Sequence, residues 1–179
     1  LCDIRGGIQK QPKRKPLKNY FPYLRVANVL RNRLDLSEIS QMELFGGELE
    51  KYRLEPGDIL IVEGNGSYSE IGRSAIWRGE IPNCVHQNHI IRLRPKASSS
   101  EYLNCFLNSP IGIAQTSGAA VTSAGLYSLS TKKIADLLAP MPPFEEQLEI
   151  ARRVNGLFGL IGRLEVRYQR AKSQTDKLT

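Results

Sequence analysis

Long apolar runs are absent from this chain: no stretch approaches the roughly 20 residues that a membrane-spanning helix needs. The residues given also show no signal-peptide pattern. Cysteine is scarce. Cys2, Cys84 and Cys105 are odd in number and scattered, which argues against a disulfide framework and fits a reducing cytoplasm. Histidine is scarcer still, so metal chemistry has few ligands to draw on. On a strand Cys84 and His86 share one face while His89 points to the other, and no fourth ligand suggests itself. No metal site is expected.

Signs of a catalytic centre are missing in the same way. Met141-Pro142-Pro143-Phe144 superficially resembles the Asn/Asp-Pro-Pro-Tyr/Phe motif of amino-methylating DNA methyltransferases, but a methionine cannot accept a hydrogen bond from the target amino group. Gly64-Asn65-Gly66 is followed by Ser69 where a phosphate or S-adenosylmethionine loop would want a third glycine. Glu63 and Glu70 flank a turn without forming an acid–base pair, and His86 has no acidic orienter at a useful spacing. No catalytic residue is expected.

What the chain has in excess is positive charge. Its 25 Lys and Arg against 18 Asp and Glu leave a formal +7. Between Leu1 and Tyr20, Arg5, Lys10, Lys13, Arg14, Lys15 and Lys18 face one anion, Asp3, so this segment alone carries a net +5. Cations on a Pro-punctuated stretch suit phosphate neutralisation with release of counterions. The plainer reading is a solvated basic tail.

At 179 residues the chain has room for one domain with a core plus an appendage. Strands are expected at Tyr23 to Val29, Ile59 to Val62, Ile71 to Trp77 and Val85 to Leu93. Glu55-Pro56-Gly57-Asp58 and Gly64-Asn65-Gly66-Ser67 read as turns. Short helices and loops are expected from Asp35 to Tyr52. Ser98 to Ser100 offer N-caps for a helix over Glu101 to Asn108, and Pro110 opens another. Gly118 to Gly125 reads as a flexible surface loop. The expectation is an α+β domain over residues 1–139 around a twisted, mostly antiparallel sheet with short helices, followed at 140–179 by a proline hinge and a long helix.

That last helix has the clearest periodicity. Ile150, Val154, Leu157, Ile161, Leu164, Tyr168, Ala171, Thr175 and Leu178 alternate spacings of four and three, an a/d seam of about four heptads. Pro140, Pro142 and Pro143 precede it, and Pro143 suits a first helical turn. Gly156, Gly159 and Gly162 lie off the seam and each costs up to about 1 kcal/mol relative to Ala, so they read as points of close approach. An apolar stripe of this length needs a partner. That partner is either a second helix or the domain itself.

Several blocks now fit one family. They run from Pro22-Tyr23-Leu24-Arg25-Val26-Ala27-Asn28-Val29 through Leu54-Glu55-Pro56-Gly57-Asp58-Ile59-Leu60 to Ile71-Gly72-Arg73-Ser74-Ala75. They continue with His86-Gln87-Asn88-His89 and end with Pro140-Met141-Pro142-Pro143-Phe144-Glu145-Glu146-Gln147. In that order they resemble one target-recognition domain and its conserved helix from the specificity subunit of a Type I restriction–modification system, over nearly the whole chain. The resemblance implies a non-catalytic subunit that reads double-stranded DNA. It implies docking to methyltransferase and restriction subunits, which carry S-adenosylmethionine, ATP and Mg. Such subunits usually hold two recognition domains spaced by antiparallel helices. This chain has one of each part, so it reads as half of a longer polypeptide or as a natural half-length subunit that forms a homodimer through its last helix. Two other readings stay open: the recognition tail of a single-polypeptide restriction-methyltransferase, and a basic coiled-coil protein without sequence specificity.

DNA reading needs cations on phosphate and amides or hydroxyls at base edges. Lys10, Lys13, Arg14, Lys15 and Lys18 are the expected phosphate contacts, with Gln9 and Gln11 as base readers. Asn65, Ser67, Tyr68 and Arg73 form a second expected group, whose alternative is an ordinary hairpin turn. Arg25 and Asn28 are expected on a strand facing opposite ways, so that one points to DNA. Gln87 and Asn88 match a family block and could instead hold a sheet edge together.

Overall fold

The computed structural model describes residues 1–65, 67–123 and 126–175, and the chain divides into two units, Leu1–Pro140 and Met141–Thr179. In the first, the strands are β1 (Cys2–Gly6), β2 (Tyr20–Leu24), β3 (Val29–Leu30), β4 (Arg33–Leu34), β5 (Ser40–Glu43), β6 (Ile59–Val62), β7 (Gly64–Asn65), β8 (Ser74–Ile76), β9 (Val85–His86), β10 (Ile90–Pro95), β11 (Val121–Ser123) and β12 (Leu126–Ser128). Its helices are α1 (Glu48–Tyr52), α2 (Ser100–Leu107), α3 (Pro110–Ala119) and α4 (Thr131–Ala135); the second unit is built on α5 (Phe144–Thr175). The class is α+β, ending in a long helix.

The centre is an antiparallel sheet in the order β1-β10-β6-β8. Strand β6 explains its position: Ile59, Leu60, Ile61 and Val62 are apolar without alternation, and all four are fully buried. Such a strand needs cover on both faces, and each side chain contributes roughly 1.5–3 kcal/mol by burial. Leu60 and Val62 join Leu24, Trp77, Cys84 and Ile90 in one core. Ile59 and Ile61 point the other way. Their register partners Leu93 and Ile91 share that face, where Ile4, Leu93, Leu103 and Leu107 line a cavity of about 290 Å³.

The turn feeding β6 forms as its residues dictate. Gly57 takes φ +93°, Pro56 precedes it, and Asp58 N donates to Glu55 O at 3.0 Å. The buried Asp58 carboxylate is satisfied by Glu55 N at 2.7 Å and by Arg94, with Nε at 2.7 Å and Nη2 at 2.9 Å. The α2 cap falls where expected, with Ser99 Oγ accepting from Tyr102 N; α3 starts at Pro110 as expected, and Ser109 Oγ caps it by accepting from Gly112 N.

Four expectations need correction. The strand expected over Tyr23 to Val29 starts earlier and stops at Leu24, because Val26–Asn28 winds into a 3-10 turn before the β3–β4 hairpin. The strand expected over Val85 to Leu93 is two. β9 pairs parallel with β2 in a sheet ordered β5-β2-β9, whereas β10 lies in the central sheet. Gln87–His89 turns between them, with Ile90 N on Gln87 O at 2.9 Å. Asp35 to Tyr52 contains β5 as well as a short helix. The loop expected at Gly118 to Gly125 begins inside α3 and continues as β11, which joins a sheet ordered β11-β12-β7; residues 124 and 125 lie outside the described ones.

Candidate nucleic-acid interface

Register places the candidate segments together. Gly6 ends β1 opposite Ile91, near the start of β10, and Ile90 faces Val62, the last residue of β6; Ser74 opens β8 opposite Ile61. Residues 7–19, 63–65 with 67–73, and 87–89 therefore all leave the same end of the central sheet. Ile8 bridges to Gln87 in parallel, and Glu63 N donates to His89 O at 2.9 Å. In sequence the first of these segments lies 44 to 82 residues from the other two.

The basic segment is ordered, not a loose tail. It begins as β1, whose Asp3 pairs with the buried Arg92. At Gly7 a Cβ would collide with the carbonyl oxygens of His86 and Gln87, so only glycine lets the chain cross there. Ile8 N then donates to His86 O at 2.8 Å, and Asn88 N to Ile8 O at 3.0 Å. Arg14 is held by Glu48 through two hydrogen bonds of 2.8 Å, with its side chain only 10% exposed. The Glu43 carboxylate accepts the backbone N–H groups of Leu17, Lys18 and Asn19, which hold it below the usual carboxylate range. Arg14 is thus committed to the fold. The acids that could cancel the local charge, Glu43 and Glu48, are engaged with this same segment.

What this scaffold presents is lysine. Lys10, Lys13, Lys15 and Lys18 are exposed, as is Gln9, while Gln11 is half-buried and donates to Gln9 Oε1 at 3.3 Å. Lys10, Gln11 and Lys15 line an open groove of about 700 Å³ whose other wall includes Ser40 and Gln41 of β5. Lys13 Nζ stands 5.8 Å from the ring centre of the exposed Phe45.

The second group is held just as firmly. Tyr68 is 52% exposed and meets Tyr127 edge-on at 5.3 Å between ring centres. Ser67 and Ser69 hydroxyls are 2.9 Å apart. Arg73, expected at the DNA, is buried: it pairs with Glu70 and donates from Nη2 to Val26 O at 3.0 Å. The backbone of Asn65 pairs with Tyr127 of β12; its side chain lies outside the described residues.

Asn28 is not on a strand face. Its Oδ1 accepts Arg25 N at 2.8 Å, and its Nδ2 donates to Asp35 O and Glu38 O, so the buried amide is spent on the turn. Arg25 pairs with the exposed Glu38 at 3.3 Å. Gln87 and Asn88 are half-buried, and their backbones tie β9 and the basic segment to the turn.

Cys84 sits in the core, where burial pushes its thiol up to about 12. His86 is fully buried; its Nδ1 lies 3.0 Å from Ile90 O, which can only accept, so Nδ1 carries the proton. Burial lowers its pKa to about 4. Burial likewise raises that of Glu63.

Helix α5 spans 32 residues, roughly 48 Å at 1.5 Å per residue. It opens at Phe144 behind Pro143, and no helix among the described residues is long and apolar enough to cross a membrane. Ile150, Val154, Leu157, Ile161, Leu164 and Tyr168 follow one another along a single seam by helical spacing, and Leu157 and Tyr168 are 62% and 63% exposed. Phe158, Leu160 and Val166 are exposed as well, off that seam. The side chains of Ala171 and Thr175, and Leu178 altogether, lie outside the described residues.

The chain is thus an α+β domain with exposed lysines on ordered loops, continued by an apolar-striped helix. The family model for the Type I restriction modification DNA specificity domain matches residues 1–165, and the chain belongs to this family. It is 28% identical over 181 residues to the Type I restriction enzyme EcoKI specificity subunit of Escherichia coli strain K12, covering 100% of this chain and 39% of that protein. It is 31% identical over 184 residues to the StySPI specificity subunit of Salmonella potsdam, again covering 100% of this chain and 39% of the relative. The chain thus spans about two fifths of the length of these relatives. The crystal structure of the HsdS subunit from Thermoanaerobacter tengcongensis shares its fold at TM-score 0.64 and 17% identity, over 88% of this chain and 40% of that one.

Proposed function

We propose that Leu1–Pro140 reads one half of a bipartite site in double-stranded DNA, and that α5 spaces and assembles the reader within a restriction–modification complex. The chain performs no chemistry; methyl transfer with S-adenosylmethionine and ATP-driven restriction with Mg belong to partner subunits. The observation that carries this reading is the meeting of three candidate segments at one end of the central sheet, four exposed lysines among them. Lys10, Lys13, Lys15 and Lys18 grip phosphates. Gln9, Gln11, Ser67, Tyr68, Gln87 and Asn88 are the candidates for base edges, and Asn65 joins them by its place on the same loop. Arg14, Asn28 and Arg73 leave the contact list, because their donors are committed within the domain; Arg25 remains at its edge.

For α5, exposed apolar residues both on and off the seam favour cover by more than one neighbour. A second copy of this helix covers the a/d seam as a homodimer, and methyltransferase subunits dock on what remains.

The test is the salt dependence of duplex binding by the full-length protein assembled with its methyltransferase subunit. Replacing Lys13 and Lys15 by alanine together should lower the slope of log K against log salt by about 2, since each phosphate contact contributes about 0.9. A slope that does not move removes these lysines from the interface.

A further inference from the structure

We infer that Arg31 is a positioning residue for base reading: it latches the turn that presents Tyr68. The inference rests on the DNA-reading role proposed above. Arg31 and Asn32 form the tip of the β3–β4 hairpin, with Asn32 in the left-handed region at φ +62°. From there the Arg31 guanidinium reaches two separate elements. Its Nη2 donates to Ser69 O at 3.0 Å, and its Nη1 to Asn108 Oδ1, at the C-terminal cap of α2, at 3.2 Å. The first of these bonds fixes the Ser69–Glu70 peptide group, one peptide beyond the one that follows Tyr68.

Asn108 is a firm anchor because it belongs to a polar network. Its Nδ2 lies 2.8 Å from Asn32 Oδ1 and 2.9 Å from Ser74 Oγ; Asn104 Nδ2 donates to the same Asn32 oxygen at 3.0 Å, and Ser74 Oγ to Asn104 Oδ1 at 2.9 Å. Asn32 N completes it on Ser74 O at 2.9 Å. The hairpin tip, α2 and the first residue of β8 are thereby joined, and Arg31 extends that rigidity to the 67–70 turn. A second arginine closes the other side: Arg73, paired with Glu70, donates to Val26 O. A base-reading side chain is selective only when its own support is fixed, because a mobile group adapts to the wrong base at little cost. Tyr68 is exposed, yet the turn carrying it is tied from two sides.

A lysine at position 31 keeps the positive charge but cannot hold Ser69 O and Asn108 Oδ1 in one planar fork. The full-length protein, assembled with its methyltransferase subunit, is offered a pool of duplexes with randomised base pairs, and bound duplexes are sequenced. With Arg31→Lys, preference for the selected motif over its single-base variants should fall roughly tenfold at a few positions. Affinity for unselected duplex and the salt slope should stay as they are, while amides of residues 67–73 exchange faster with deuterium. Arg31→Gln serves in the same assay if the lysine variant does not fold. A uniform loss of affinity with a reduced salt slope for Arg31→Gln would make Arg31 a phosphate contact and overturn the inference. Unchanged discrimination overturns it as well. Should the unsubstituted complex select no motif, the DNA-reading proposal itself falls.

Discussion

Arg14 and Glu48 meet face to face, Nη1 on Oε2 and Nη2 on Oε1, each at 2.8 Å. The pair joins the basic segment to α1 across 34 residues, and both side chains are largely buried, at 10% and 22% exposure. Glu48 Oε2 also accepts Phe45 N at 2.8 Å, so one carboxylate orders both the arginine and the loop beneath it. A cation that charge pattern assigns to DNA is here the peg that holds the neighbouring lysines in place.

Arg14→Ala should therefore destabilise the domain by about 1–3 kcal/mol, because it leaves a partly buried carboxylate without its partner. Urea unfolding measures this. Trypsin should also cut after Lys13 or Lys18 faster than in the unsubstituted protein; equal cutting rates would mean the segment is held without the pair.

Adjacent glycines separate a steric requirement from mere flexibility. Gly6→Ala meets nothing within 4 Å, whereas Gly7→Ala drives a methyl group into the His86 and Gln87 carbonyls. Gly7→Ala should cost more than about 2 kcal/mol in unfolding free energy and Gly6→Ala less than about 1. Similar losses for the two would contradict the close crossing of the strands.

His86 predicts the acid limb of stability. Its folded pKa is lowered to about 4 from 6.5 by burial. Between those values the unfolded chain binds the proton and the native one does not, so native stability is full above pH 6.5 and declines as pH falls towards 4. The decline amounts to about 3 kcal/mol. Glu43 and Glu48, both held below their ordinary range, add losses of the same sign below about pH 4.5. His86→Gln, which cannot titrate, should flatten the slope between pH 4 and 6.5; a slope that persists assigns it elsewhere.

The exposed stripe of α5 predicts association. Sedimentation of the isolated 179-residue chain at tens of micromolar should show a dimer, and Leu157→Glu with Ile161→Glu should return it to monomer without loss of the domain's thermal transition. A monomer that retains full helicity would remove self-association and leave the stripe to other subunits.

The sequence by itself determined the elements whose cause is local. Helix α5 follows from a seam of four-and-three spacing behind Pro143, and β6 from an unbroken apolar run after a Pro-Gly turn. The order of the family blocks likewise identified the specificity-subunit family. Only the tertiary structure decided which charged and polar side chains face outward. Glu43 captures three backbone N–H groups 24 to 26 residues away, Arg14 finds Glu48, and Arg31 reaches Asn108 across 77 residues. Nothing in local spacing marks such pairs. An arginine's partner is set by strand register and by glycines such as Gly7 that let distant segments cross, and those exist only once the sheet has closed.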